Sequence, residues 1–202
     1  HECLAKFLGK HLQEKLPKYD FAVLWEELKQ EFQNLCDEYI ANGKLLQNEL
    51  WGAEQKRLLN MLHKWLRYEY DMQGKWDFVP CAVEWAFNNK EGAPLRLKLE
   101  DGQKFAIMGR VDRIDKNGDK VFVTDYKLGS VPVVDDLSNG VDLQLPIYLL
   151  AANKLYGKEV AGGGYLSMKE GKRKNNVKLD ASQEFPFMDK KSKDHFANIE
   201  DR

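Results

Sequence analysis

The chain has 202 residues, of which 43% are hydrophobic and 31% charged, with 31 Lys and Arg against 32 Asp and Glu. That balance excludes a disordered polyelectrolyte and suits one globular domain with a sizeable core. No apolar run nears the ~18 residues of a membrane span, no signal peptide is visible, and a net charge of −1 neither advertises nor excludes a nucleic-acid partner.

The first residue is His1 rather than Met, and a helical pattern begins with it, which reads as a fragment of a longer polypeptide. Residues 1–16 place Leu4, Leu8, Leu12 and Leu16 or their neighbours on one helical stripe. Lys18 to Gly43 and Lys44 to Gln73 read as two further helices, with Phe21, Leu24, Trp25, Leu28, Phe32, Leu35 and Tyr39 at 3–4 spacing in the former. Their aromatics are most simply core, and Asn42-Gly43 and Gly74 are stop signals. Cys3, Cys36 and Cys81 are far apart and form no CxxC pair, which suits a reduced, cytoplasmic compartment and leaves no four-cysteine ligand set for an iron–sulfur cluster.

From Trp76 the pattern changes to strands. Phe78 to Phe87 mixes valine and aromatics, Leu95 to Leu99 alternates, and Asp101-Gly102 marks a hairpin. Glu84 lies in the segment VEWAF; as a strand residue it faces either solvent or a site, and both readings stay open. Ile107 to Lys127 then reads as two strands joined at Asn117-Gly118, a type I′ signal. With that turn Lys116 faces Asp119, Ile114 faces Val121 and Asp112 faces Val123. Asp112, Ile114 and Met108 then share a face with Val121, Val123, Asp125 and Lys127. Asp112 and Asp125 become a diagonal pair, β-carbons about 7 Å apart, close enough to share one divalent cation, with Lys127 beside them. The alternative is an acidic surface hairpin. A calcium-binding loop is excluded, because Gly118 and Tyr126 stand where its spacing needs other residues.

After a loop containing Pro132, a helix is expected from about Asp142 to Leu155, with Gln144 and Tyr148 on one face and Pro146 tolerable in its first turn. Glu159 to Met168 resembles a last strand, in which Gly162-Gly163-Gly164 permits close backbone approach. Lys169 to Lys178 is basic and reads either as a phosphate contact or as a solvated hairpin, and the tail from Asp180 informs least. No Walker motif occurs, so ATP use would lie outside these residues.

Asp112, the Asp125-Tyr126-Lys127 triplet and Gln144-Leu-Pro-Ile-Tyr148, in this order and spacing, resemble the PD-(D/E)XK nucleases, specifically the RecB-like nuclease domains of the RecB, AddA and AddB helicase–nuclease subunits. The resemblance covers His1 to about Met168. It implies a restriction-endonuclease-like αβββαβ core, an α/β fold with a mixed central sheet flanked by helices and an N-terminal helical part. It implies metal ligation by His1, Asp112, Asp125 and the Tyr126 carbonyl, catalysis by Asp112, Asp125 and Lys127, contact of Gln144 and Tyr148 with the metal site or DNA backbone, and a place for Glu84 near the site.

The expectation is therefore one nuclease domain over 1–202: a helical part (1–75), a catalytic sheet and helix (76–170) and a tail (171–202). It would hydrolyse DNA with Mg²⁺ or Mn²⁺, as the exonuclease module of a helicase–nuclease subunit in recombination and repair, with a helicase as partner and no membrane. Two other classes remain: an inactive module of the same fold that binds DNA or a partner subunit, and a transferase or other metal enzyme sharing the hairpin by coincidence.

Overall fold

A computed structural model describes residues 1–88, 90–133, 136 and 139–179. The N-terminal part is helical: α1 (Glu2–Lys10), a 3₁₀ turn (Leu16–Lys18), α2 (Phe21–Ala41) and α3 (Trp51–Gln73). α1 is shorter than its apolar stripe suggests. Gln13 takes a left-handed φ of 65° and donates its N–H to the Pro80 carbonyl (2.6 Å), which breaks the helix and ties its end to the sheet. Asp20 caps α2, its carboxylate accepting from Ala22 N and Val23 N. α3 starts at Trp51, later than the expected Lys44.

The strands are β1 (Val79–Phe87), β2 (Leu95–Lys98), β3 (Lys104–Ile107), β4 (Gly109–Asn117), β5 (Lys120–Lys127), β6 (Glu159–Ser167) and β7 (Lys172–Lys178), with helix α4 (Gln144–Leu155) between β5 and β6. Five form a mixed sheet in the order β1-β4-β5-β6-β7, in which only β5 and β6 run parallel; β2 and β3 pair as a separate hairpin. The parallel pair requires a crossover, which α4 supplies. This is the expected α/β core, with one addition: the basic stretch after Met168 folds back as β7 on β6, so the sheet extends into residues assigned to the tail. The rest of the tail, from Asp180, lies outside the described residues.

The sheet is buried on both faces. One face meets α1–α3, where Leu4, Phe7, Leu8, Leu24, Leu28, Trp65 and Leu66 pack with Tyr126 and Leu166. The other carries Ile114, Val121 and Val123 against Leu145 and Leu149 of α4. Each fully buried side chain of this size contributes about 1.5–3 kcal/mol. Gly163 permits the second contact, since a β-carbon there would stand 2.7 Å from Leu149 Cδ2 and 2.9 Å from the Val123 carbonyl oxygen.

The β4–β5 hairpin corrects the expected register. Asn117 pairs with Lys120, Lys116 with Val121 and Ile114 with Val123, so Gly118 and Asp119 make the turn instead of Asn117 and Gly118. Among the described residues only Gly118 of these has positive φ, 58°, which fits a turn with Gly at its first central position rather than type I′. The shift is two residues, and an even shift leaves every side chain on its expected face. Met108 is the exception: it stands between β3 and β4, exposed, and shares no strand face with Asp112.

Candidate active site

Three acidic residues form a row across the sheet. Ile114 faces Val123 and Arg113 faces Thr124, so the register continued by one residue brings Asp112 level with Asp125. On the other flank Val83 faces Arg113 and Trp85 faces Val111, which brings Glu84 level with Asp112. Level residues on adjacent strands lie about 4.5–5.5 Å apart. Asp112 and Asp125 thus stand level rather than diagonal, one residue beyond the last paired rung. The next strand continues the row with Tyr165, paired to Asp125.

Backbone geometry sharpens the row. The β4–β5 ladder ends at Arg113–Thr124, and beyond it Tyr126 N–H donates to Asp112 Oδ2 at 2.7 Å. Glu84 takes a left-handed φ of 49° within β1, an uncommon backbone for a non-glycine residue. Its carboxylate, Asp112 and His1 bring ligand atoms within 4.8 Å of one another. His1 precedes the first turn of α1, its carbonyl accepting from Ala5 N (2.9 Å) and its Nδ1 lying 3.4 Å from Asp112 Oδ1. Atoms about 2.1 Å from one ion are at most about 4.2 Å apart, so this cluster fits a shared divalent cation after shifts below about 1 Å. Glu84 is thereby placed in the cluster rather than merely near it. Asp125 borders the cluster without belonging to it.

The electrostatics are those of crowded, partly buried carboxylates. Burial, then the neighbouring Asp112, pushes Asp125 up to about 6. Burial and Asp112 likewise raise Glu84, while hydrogen bonding to Asp112 raises the His1 imidazole. Buried carboxylates crowded in this way favour a proton or a cation. Asp125 Oδ2 is buried without a hydrogen bond, its charged neighbour being Lys127 Nζ at 2.9 Å.

The start of α4 completes the site. Asp142 Oδ1 accepts the Gln144 N–H (2.9 Å). From there the Gln144 side chain reaches back over the end of β5: its Nε2 donates to Asp125 Oδ1 (2.8 Å) and to Tyr148 Oη (3.1 Å), and its Oε1 accepts from Lys127 Nζ (2.5 Å). Lys127 also lies over the Tyr165 ring, 5.3 Å from its centroid. Gln144 and Tyr148 therefore face the carboxylate and the lysine.

On the opposite face, behind Asp112, lies a buried ionic cluster that the motifs of the sequence do not announce. Arg113 donates Nη1 to Glu69 Oε2 (2.7 Å) and to Tyr126 Oη (3.3 Å), and Nε to Asp115 Oδ1 (2.8 Å). Arg173 of β7 donates to Thr124 Oγ1 (2.6 Å) and approaches Glu69 and Asp115 at 3.6 and 3.7 Å. All four charged side chains are at most 1% exposed. The signal was present in alternation: Arg113 and Asp115 take the face opposite to Asp112, and that face is covered by α3.

Comparison with known proteins agrees with this geometry. The profile described as the PD-(D/E)XK nuclease superfamily matches residues 1–201. The chain is 30% identical to an ATP-dependent helicase/deoxyribonuclease subunit of Carboxydothermus hydrogenoformans, across 98% of this chain and 19% of that protein. Proteins of the same name from Clostridium tetani (28%, 74% of this chain, 14% of that protein) and a Thermoanaerobacter species (30%, 67% and 13%) are similar. The chain thus spans less than a fifth of the length of these relatives. With the αβββαβ core, the acidic row ending in Asp125-Tyr126-Lys127 and a family match over nearly the whole sequence, the chain belongs to the PD-(D/E)XK nuclease superfamily.

Proposed function

We propose that residues 1–202 are one nuclease unit that hydrolyses DNA phosphodiester bonds with a divalent cation, Mg²⁺ or Mn²⁺, and acts as an exonuclease. The single observation that carries this reading is the juxtaposition of His1, Glu84 and Asp112 with the buried Asp125 and with Lys127. The hard oxygen donors and one imidazole suit either ion. His1, Asp112, Asp125 and the Tyr126 carbonyl would hold it, with Glu84 as a further ligand. A bound ion of this kind lowers the pKa of its water and polarises phosphoryl oxygens.

The remaining roles belong to the protein. Lys127 brings an ammonium beside Asp125, where it orients the attacking water or offsets charge building on the phosphate. Gln144 holds the lysine and the aspartate in one geometry, and Tyr148 holds Gln144, so both act on DNA through the residues they position. Among the described residues no serine or cysteine is paired with a histidine, which favours direct attack by water. The names of the relatives support a place alongside a helicase within a longer polypeptide, with ATP used outside these residues, and such a unit would serve recombination and repair. No described helix is long and apolar enough to cross a membrane.

The test is digestion of end-labelled linear DNA and of closed circular DNA, with Mg²⁺ or with EDTA. An exonuclease degrades the linear form alone, and only with the metal. Loss of circular DNA would make the unit an endonuclease; survival of both forms would favour the inactive module.

A further inference from the structure

The cleft at the metal-ligand cluster continues past it along β1 and β4. It encloses about 630 Å³ and is lined by His1, Glu2, Lys6, Glu84 and Arg110 among others. Arg110 stands two residues before Asp112 on β4, about 6.7 Å along the strand, and lines the cleft with His1 and Glu84 of the cluster. It is level with Ala86, two residues beyond the acidic row. Its guanidinium is half exposed and held loosely, 3.8 Å from Glu84 and 3.5 Å from Glu91, both beyond ordinary hydrogen-bond length. Lys6, the other cation of the cleft, is paired with Glu2 and Glu38 at 3.2 Å.

A planar guanidinium suits two phosphate oxygens at once, and exchanging two loose carboxylate contacts for a phosphate costs little. The other charged groups facing this part of the cleft are acidic, apart from Lys6 and His1. A polyanion bound here therefore needs a cation beside the ligand cluster. We propose that Arg110 binds a backbone phosphate of the DNA strand next to the one being cut, and so seats the strand across the row. The inference rests on the nuclease reading of the site but concerns binding, which can be measured without turnover.

The experiment measures equilibrium binding of a fluorescent single-stranded oligonucleotide in Mg²⁺, in the Lys127→Ala background to suppress cleavage. Salt is varied from about 50 to 200 mM. Adding Arg110→Ala is expected to weaken binding about tenfold, the loss of one charge-assisted contact. It is also expected to make the log–log salt slope shallower by about 0.7, the value for one phosphate on a single strand. Arg110→Lys should recover the slope and part of the affinity. Arg57→Ala, which removes a charge that does not line the cleft, should change neither. Unchanged affinity and slope in Arg110→Ala would overturn the proposal while leaving the nuclease reading intact. An equal loss in Arg57→Ala would reduce the effect to net charge and overturn it as well. Absence of binding by the Arg110 protein at low salt would overturn it together with DNA as the substrate.

Discussion

At the scale of single residues, holding a metal is separate from using it. Lys127 touches Asp125 and Gln144 but contributes no ligand atom to the cluster of His1, Glu84 and Asp112. Lys127→Ala should therefore keep its affinity for Mn²⁺ within about threefold while losing about 100- to 1,000-fold in turnover, the usual cost of removing a group aimed at developing charge. Lys127→Arg should restore little, because a planar fork does not replace a compact ammonium between a carboxylate and an amide oxygen. Mn²⁺ titration beside single-turnover cleavage checks both, and unchanged turnover would remove Lys127 from the mechanism. Asp112, Asp125 and Lys127 were legible in the sequence because strand alternation alone assigns their face. The place of Glu84 was not legible, since it depends on a left-handed backbone in the middle of a strand.

At the scale of elements, the hairpin shows what a turn signal can and cannot fix. Asn117-Gly118 announced a tight turn, but Gly118 supplies positive φ equally well from the first central position, so the pairing moved by two residues. The pairing register changed from diagonal to level. The ionic cluster that joins α3, β4 and β7 was hidden for another reason: a strand pattern shows that Arg113 and Asp115 share a face, not that Glu69 and Arg173 will meet them there. Burial raises the Glu69 carboxyl and the Arg113 and Arg173 guanidiniums lower it, with the guanidiniums prevailing. A lowered carboxylate contributes stability that is complete above its unfolded value of 4.5 and is lost as pH falls through the folded one. Glu69→Gln should cost about 3–5 kcal/mol at pH 7, because it leaves buried guanidiniums short of a partner. The gap to the unmodified protein should narrow below pH 4.5. Asp115, which burial raises and the Glu69 charge raises further, acts in the opposite sense in both proteins. Urea unfolding at pH 7 and below pH 4.5 measures it; a constant gap would mean that Glu69 titrates alike in the folded and unfolded chain, and a widening one that it is neutral when folded.

At the scale of the whole molecule, helical layer, mixed sheet and crossover helix serve one purpose, which is to gather residues from His1 to Tyr148 at one end of the sheet. The order of helices, strands, helix and strand was readable from periodicity, and the expected αβββαβ core is present. β7 was not, because a basic, asparagine-rich stretch carries little strand signal, and it folds as a strand only because β6 offers an edge. In the relatives this unit corresponds to less than a fifth of the protein. The claim that it carries its own chemistry is therefore best tested on these residues alone. The decisive measurement is the single-turnover rate of cleavage of linear DNA in Mg²⁺ for the unmodified chain and for Asp125→Ala. Cleavage should stop on chelation and fall at least about 100-fold in the variant, since the proposed reading makes the buried carboxylate a metal ligand. Equal rates in the two proteins, or cleavage that persists in EDTA, would contradict that claim.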